Sequence, residues 1–265
     1  MFKIALYLLI AVVLTIFLLP FFYTVSPYDL DPTRILQAPS LEHLFGTDRL
    51  GRDMLARILE GGQTSLIIGF LAASISSIIG LFIGINAGYF KGNIDKTITI
   101  MIDLFLTFPT FFLLLALVSY IQASALILII VISVTGWMGM ARMIRSESFA
   151  IGNKPFIKIL KVANVSNFKI IFKYFAPLLA PIFLISFTFG VGGAILAESG
   201  LSFLGLGVNP PSMSWGSLLS DGKAVIDIAW WVSFFPGFMI FLITFCLIQI
   251  SDYLQTLANA KEIIA

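Results

Sequence analysis

A chain of 265 residues with 11% charged and 59% hydrophobic side chains is not an ordinary soluble domain, in which about a quarter of residues are charged. Its formal net charge of +2 leaves no basic footprint for a nucleic-acid partner. The few charges are clustered, and the gaps between them match membrane helices, since backbone groups in lipid must be satisfied internally and about 20 apolar residues span the bilayer.

The first gap runs from Lys3 to Asp29 and predicts a helix over 4–24. Its apolar run is too long for the core of a signal peptide, and no small-x-small cleavage site follows, so it reads as a retained anchor. Residues 26–62 form an outer stretch with Pro27, Pro32, Pro39 and many of the acidic side chains. The gap from Glu60 to Lys91 predicts a helix over 63–87. The long gap from Asp103 to Arg142 has room for two more, over 98–120 and 124–144. A basic inner stretch, 146–172, precedes a fifth helix over 174–197. Residues 199–220, SGLSFLGLGVNPPSMSWGSLLS, carry no charge and too much Gly and Pro for a span, so they read as short helices and loops on the outer mouth. Trp230–Trp231 opens the last helix, 230–252, at the depth of an interfacial aromatic belt.

The expected fold is therefore all-α, a polytopic membrane protein with six transmembrane helices. An anchor helix and outer segment occupy 1–62, a five-helix core 63–256, and a short tail 257–265. Lys and Arg placement orients it. With the N-terminus inside, Lys3, Lys91, Lys96, Arg142, Arg145, Lys154, Lys158, Lys161, Lys169, Lys173 and Lys261 are cytoplasmic, and Arg34, Arg49, Arg52, Arg57 and Lys223 are outside. Eleven against five puts both termini in the cytoplasm.

Several chemistries have no foothold. No G-x-x-x-x-G-K-[ST] phosphate loop occurs, so the chain is not expected to bind ATP by that route, and no H-E-x-x-H or G-x-S-x-G motif is present. Asp103, Glu198 and Asp252 lie near helix ends, whereas ion-coupled carriers keep ionisable groups near the midplane. A self-sufficient channel or secondary carrier remains the alternative class. Cys246 is a small buried residue in the last helix. His43 has no second His or Cys to form a nickel site, and Met138, Met140 and Met143 spread around their helix as packing filler. Glu198, beside Ser199 and Ser202, reads as a clasp for the outer turn in preference to a cargo ligand.

Asn153 to Ser166 reads NKPFIKILKVANVS. Pro155 suits a first helical turn. Lys154, Lys158 and Lys161 recur at helical spacing beside an apolar stripe of Phe156, Ile157, Leu160 and Ala163, which defines a short amphipathic helix. Such a helix either rests on anionic lipid or docks into a partner's groove.

Taken together, the segments resemble the shorter-chain permease subunit of the oligopeptide/dipeptide/nickel family of ATP-binding-cassette importers. The similar stretches are LFGTDRLGRDMLARI (Leu44 to Ile58), Gly88-Tyr89-Phe90-Lys91-Gly92 with Asp95, Trp137 with Ala141-Arg142 and Arg145, ESGLSFLGLGVNPPSMSWG (Glu198 to Gly216), Pro236-Gly237 and Asp252. The resemblance runs from about residue 43 to 255. It implies a type I importer permease core in a bacterial inner membrane, half of a pore for short peptides or nickel. It also implies a second related permease, two cytoplasmic ATPases that bind ATP and Mg, an extracytoplasmic binding protein, and no cofactor on this chain. The segment 153–166 becomes the ATPase-docking coupling helix, with Pro155, Phe156, Ile157, Lys158, Ile159, Leu160, Lys161, Val162, Ala163, Asn164, Val165 and Ser166. Glu198, Ser199, Ser202, Phe203 and Trp215 become the outer mouth and gate. The coupling motif departs from the family pattern: Ile159 and Leu160 replace paired alanines, Asn164 replaces a glycine, and Leu178 stands where Asn usually follows the retained Pro177. Asn tolerates the left-handed backbone conformation, so Asn164 is expected to make the turn.

Overall fold

The computed structural model describes residues 2–121 and 124–264. Helix α1 spans Phe2–Leu18 and ends in a 3₁₀ turn, Leu19–Phe21. It is followed by α2 Met54–Phe90, α3 Gly92–Leu106, α4 Thr110–Ser119, α5 Ala125–Gly152, α6 Pro155–Val162 and α7 Asn167–Ile170. A π-helical turn, Ile171–Phe175, leads into α8 Ala176–Phe203, then α9 Trp215–Lys223 and α10 Trp231–Ile264. Among the described residues there is no strand beyond a single bridge between Thr47 and Asp53. Five helices are long and apolar enough to cross a membrane, and α3 with α4 makes the sixth span when the bent pair is counted as one. The last residue of the predicted tail, and the side chain of Lys261, lie outside the described residues.

The helices differ from the expected ones mainly at their ends. Helix α2 begins at Met54, well before the expected residue 63, because the Asp53 side chain accepts a hydrogen bond from the Ala56 N–H at 2.8 Å and caps it. Arg57 and Glu60 are thus inside the helix. Likewise α5 and α10 run on to Gly152 and Ile264. A charge ends the lipid-compatible run and leaves the backbone hydrogen bonding untouched. The expected single span over 98–120 is broken, with its two pieces meeting at 78°. Pro109 lacks an N–H and disfavours a helical Phe108, so the turn falls there. The π-helical turn before α8 has a related cause, since Pro177 withholds the N–H that would bond to the Lys173 carbonyl.

Helices α2 and α5 pack along much of their length, with α8 and α10 closing the bundle. Gly80, Gly84 and Gly88 make the α2–α5 approach possible: a Cβ at these positions would fall 2.7, 2.7 and 2.6 Å from Met140, Ala141 and Arg145 of α5. The larger apolar core includes Ile58, Ile68, Leu128, Ile195 and Trp215. A second core sits at the other end, where Tyr89, Ile144, Ile157 and Phe175 join α2, α5, α6 and the approach to α8. Phe2 stacks on Tyr253 at 4.0 Å, which brings the start of α1 and the later turns of α10 to one end of the molecule.

Candidate functional site

At one end of the bundle, the one predicted to lie outside, the extended segment between α1 and α2 is pinned down by a buried ion cluster. Asp48, 3% exposed, receives Arg57 and, at 2.7 Å, Arg52 on one carboxylate oxygen. Its other oxygen accepts the backbone N–H groups of Leu50 (2.8 Å) and Arg52 (2.9 Å). Arg57 also reaches Asp221 of α9 at 3.1 Å. Asp48, Arg52, Arg57 and Asp221 thus form one clamp, and nothing in the sequence set Arg57 apart as a member of it. Trp231 donates its indole N–H to the Thr47 carbonyl at 3.1 Å. Gly46, at φ +74°, lies against that indole, where a Cβ would come within 2.7 Å. His43 is occupied on both ring nitrogens, by Asp53 at 2.8 Å and Arg34 at 3.0 Å. Because Arg34 can only donate, Nε2 accepts and Nδ1–H donates to Asp53.

Beneath this clamp, Glu198 is fully buried. Hydroxyl groups surround its carboxyl: Ser202 donates at 2.6 Å, Ser65 at 3.0 Å and Ser199 at 3.4 Å. Ser65 in turn accepts the Trp215 backbone N–H at 3.1 Å, and Ser214 donates to Ser202 at 3.2 Å. Ser214 also caps α9 in a reciprocal pairing with Ser217. The Trp215 indole N–H is taken by the Ile58 carbonyl at 3.0 Å. Phe203 stands at the end of α8, its carbonyl accepting from Ser220 at 3.0 Å and its ring under the Lys223 ammonium. The structure therefore gathers Glu198, Ser199, Ser202, Phe203 and Trp215 at one end, and the cage ties α2, α8 and α9 together. Ser65 carried no sequence signal, being a lone hydroxyl in an apolar run. Ser214 was visible only as the first residue of an S-x-x-S pattern before a short helix.

This geometry sets an expectation for Glu198. Glu198→Ala strands the hydroxyls of Ser65 and Ser202 in the core, at a cost of about 1–3 kcal/mol. Glu198→Gln retains an acceptor and is expected to lose less in thermal stability and uptake. Equal, severe loss of uptake by both variants in normally assembled complex would instead assign the role to the charge.

In the middle of the bundle, α2, α5 and α8 border an open cavity of about 700 Å³. Small and hydroxyl-bearing residues dominate its wall, among them Ser76, Ser77, Thr135, Gly139 and Gly193. Asp252 is the charged side chain on it.

At the opposite end, predicted to be the inner one, α6 forms where the amphipathic pattern placed it, with Pro155 in the first turn. Its C-terminus is closed by Asn164 at φ +54°. The Val165 N–H bonds to the Leu160 carbonyl and the Asn164 N–H to the Lys161 carbonyl, both at 3.1 Å, which is the Schellman arrangement. Asn thus makes the turn expected of it in place of glycine. Ser166 then caps α7.

The expected apolar stripe is divided between two faces. Ile157 is fully buried in the inner core and Leu160 is packed against it, while Phe156 is 38% exposed. The outward apolar residues are Ile159 (67% exposed) and Val162 (84%), neither of which belonged to the expected stripe. The reason is tertiary: Ile157 joins the apolar cluster that holds Tyr89, Ile144 and Phe175, which turns Ile159 and Val162 outward. Lys158 and Ala163 are exposed. Lys161 lies over the Tyr89 ring at 4.2 Å, and desolvation together with nearby Lys91 lowers its pKa from the ordinary lysine value. Lys91 itself donates to Asn153 at 2.6 Å, and the Tyr89 hydroxyl to Asn167 at 2.6 Å. Two ion pairs, Arg145–Asp95 and Arg142–Asp103, fasten α3 to α5. Among the described residues no three His, Cys, Asp or Glu side chains are placed to hold a metal ion.

Residues 76–261 match the family described as binding-protein-dependent transport system inner membrane component. The oligopeptide transport system permease protein OppC of Haemophilus influenzae is 35% identical over 260 residues, covering 97% of this chain and 84% of that protein. The dipeptide transport system permease protein DppC of Alkalihalophilus pseudofirmus is 38% identical over 240 residues, covering 90% and 79%. A solved structure of the MetNI methionine ABC transporter in inward-facing conformations superposes with a TM-score of 0.58 at 16% identity, over 76% of this chain and 96% of its own. That likeness shows the fold.

Proposed function

Because this chain belongs to the family of binding-protein-dependent transport system inner membrane components, we propose that it is the permease subunit of an ATP-binding-cassette importer that brings short peptides into the cytoplasm. The chain contributes wall, gate and lever, and no chemistry. A second related permease completes the pore, two cytoplasmic ATPases bind ATP and Mg, and an extracytoplasmic binding protein delivers cargo to the outer mouth. The nickel alternative has no counterpart in the two relatives named above, and the one histidine of the chain is held on both nitrogens by Asp53 and Arg34.

The observation that carries the reading is the placement of α6. Outwardly it offers Ile159 and Val162 at the inner end of the bundle, and inwardly Ile157 is locked into a core shared with α2, α5 and the approach to α8. A push on α6 therefore reaches the helices that border the cavity. Closure of the ATPase pair on ATP supplies the driving free energy, because ATP binds the closed pair more tightly.

Reconstitution tests the function. Purified complex in vesicles should import a dipeptide only with binding protein outside and hydrolysable ATP on the ATPase side. Peptide flux through this chain alone would mean a self-sufficient channel or carrier.

Orientation has its own test. The Lys and Arg bias supports cytoplasmic termini, and the Arg57–Asp221 contact groups the predicted outer residues at one end. A cysteine at Asp221, a half-exposed position, should react with an impermeant thiol reagent from outside. One at Lys158 should react only after the membrane is opened. The reverse pattern would invert the topology.

A further inference from the structure

The helical glycines of this bundle differ in what surrounds them: some exclude a Cβ, while Gly152, Gly190, Gly192 and Gly237 would place one in ordinary contact at 3.5–3.9 Å. At most helical positions a Cβ would strike a neighbour: at Gly136 it would meet Ser76 at 2.7 Å, and at Gly69 it would meet Ile195 at 2.4 Å. Gly139 of α5 and Gly193 of α8 are different, because a Cβ at either would meet nothing within 4 Å. Neither has the positive φ that would demand glycine. Glycine inside a helix lowers its stability relative to alanine. These two glycines incur that loss with no packing contact in return, and both face the central cavity.

The third observation is on the facing helix. Ser77 of α2 is 4% exposed and borders the same cavity, and its hydroxyl has no hydrogen-bond partner among the described residues. Its neighbour Ser76 is by contrast engaged with the Ser133 carbonyl at 3.1 Å. The Ser77 hydroxyl is therefore open to the cavity, free to bond to water or to a group that passes through it. The cavity, at about 700 Å³, is in the size range of small-molecule sites. Apart from Asp252 its border bears no charge, so it can discriminate little by the charge of a passing side chain.

We infer that Gly139 and Gly193 set the clearance of the cargo path and that Ser77 is one of its free hydrogen-bonding groups, so that the wall selects peptides by side-chain bulk while engaging the backbone amide that all of them share. This rests on the peptide-import reading above. The space left by the absent side chains is for the cargo, and the Ser77 hydroxyl contacts an amide as it passes.

The test uses the complete transporter in vesicles, with diglycine and diphenylalanine as cargo. Each variant is compared with wild type for the same cargo, so that preferences of the binding protein cancel. Gly193→Leu and Gly139→Leu should leave complex yield near wild type. Uptake of diphenylalanine should fall at least tenfold more than uptake of diglycine, with the alanine variants in between. Ser77→Ala should lower uptake of both peptides by the same factor. Proportionate loss of both cargoes in the leucine variants overturns the size filter. Loss of complex yield also overturns it, by assigning these glycines to contact with the second permease. If wild-type complex imports neither peptide, the peptide reading itself has failed, and the filter with it.

Discussion

Asp48→Ala is expected to be among the most damaging single changes outside the helical cores. Asp48 is 3% exposed and receives two guanidinium groups, those of Arg52 and Arg57, of which Arg57 is itself 4% exposed. Without the carboxylate the two cations face each other, and Arg57 keeps only Asp221, which is 41% exposed on its side chain. Removing one partner of a buried ion pair typically costs about 3–5 kcal/mol, because the remaining charge is stranded. The turn that presents the outer segment also loses the acceptor for the Leu50 and Arg52 N–H groups. The expected readout is a sharply lowered midpoint of thermal unfolding in detergent and little assembled complex. Asp48→Asn, which retains the backbone acceptor without the charge, should fall between wild type and alanine. If Asp48→Ala matched wild type, the cluster would be a surface decoration of the kind that contributes little.

A second large effect is expected at the inner helix and should appear in coupling, with the fold preserved. Ile159 and Val162 are the exposed apolar residues of α6, and replacing either with aspartate disturbs no internal contact of the core. If they seat in an ATPase groove, loss of an apolar anchor costs about 2 kcal/mol or more, roughly thirtyfold in affinity. Ile159→Asp should therefore reduce copurification of the ATPases, or leave ATP hydrolysis running without peptide uptake. The lysines supply the contrast. On a lipid surface Lys154 and Lys158 would each contribute about 1 kcal/mol, and their joint neutralisation would be the damaging change. Near-wild-type coupling in Ile159→Asp together with loss in the lysine variant would favour the lipid surface.

The membrane fold was legible because charge gaps report where lipid lies, and so the spans and their number could be counted from Lys3, Glu60, Asp103 and Lys173 onward. Helix ends were not, because they depend on caps and prolines: Asp53 starts α2 inside a charged stretch, and Pro109 breaks a run that is apolar throughout. Glu198 was conspicuous as a charge beside an uncharged loop, whereas Ser65 is 133 residues away in sequence and meets it only through the packing of α2 on α8. Arg57 was counted among the outside cations, and its burial at 4% exposure was not readable because sequence does not reveal burial. At α6 the period of the helix was readable but not its rotation about its own axis. That depends on the apolar cluster of Tyr89, Ile144 and Phe175 that Ile157 joins. The inward face of a short helix between two longer ones is set by tertiary contacts, and the outward pair Ile159 and Val162 emerges only once those are known.

The most direct test of an ATPase-driven permease is a proximity measurement at α6 in the intact, ATP-hydrolysing complex. A thiol-reactive photocrosslinker on Ile159→Cys is expected to form a covalent adduct with a copurified ATPase subunit, while the same reagent on Ile157→Cys, buried in the inner core, should find little or no partner. An Ile159→Cys adduct formed only with lipid, in complex that still hydrolyses ATP and imports peptide, would contradict the docking of α6.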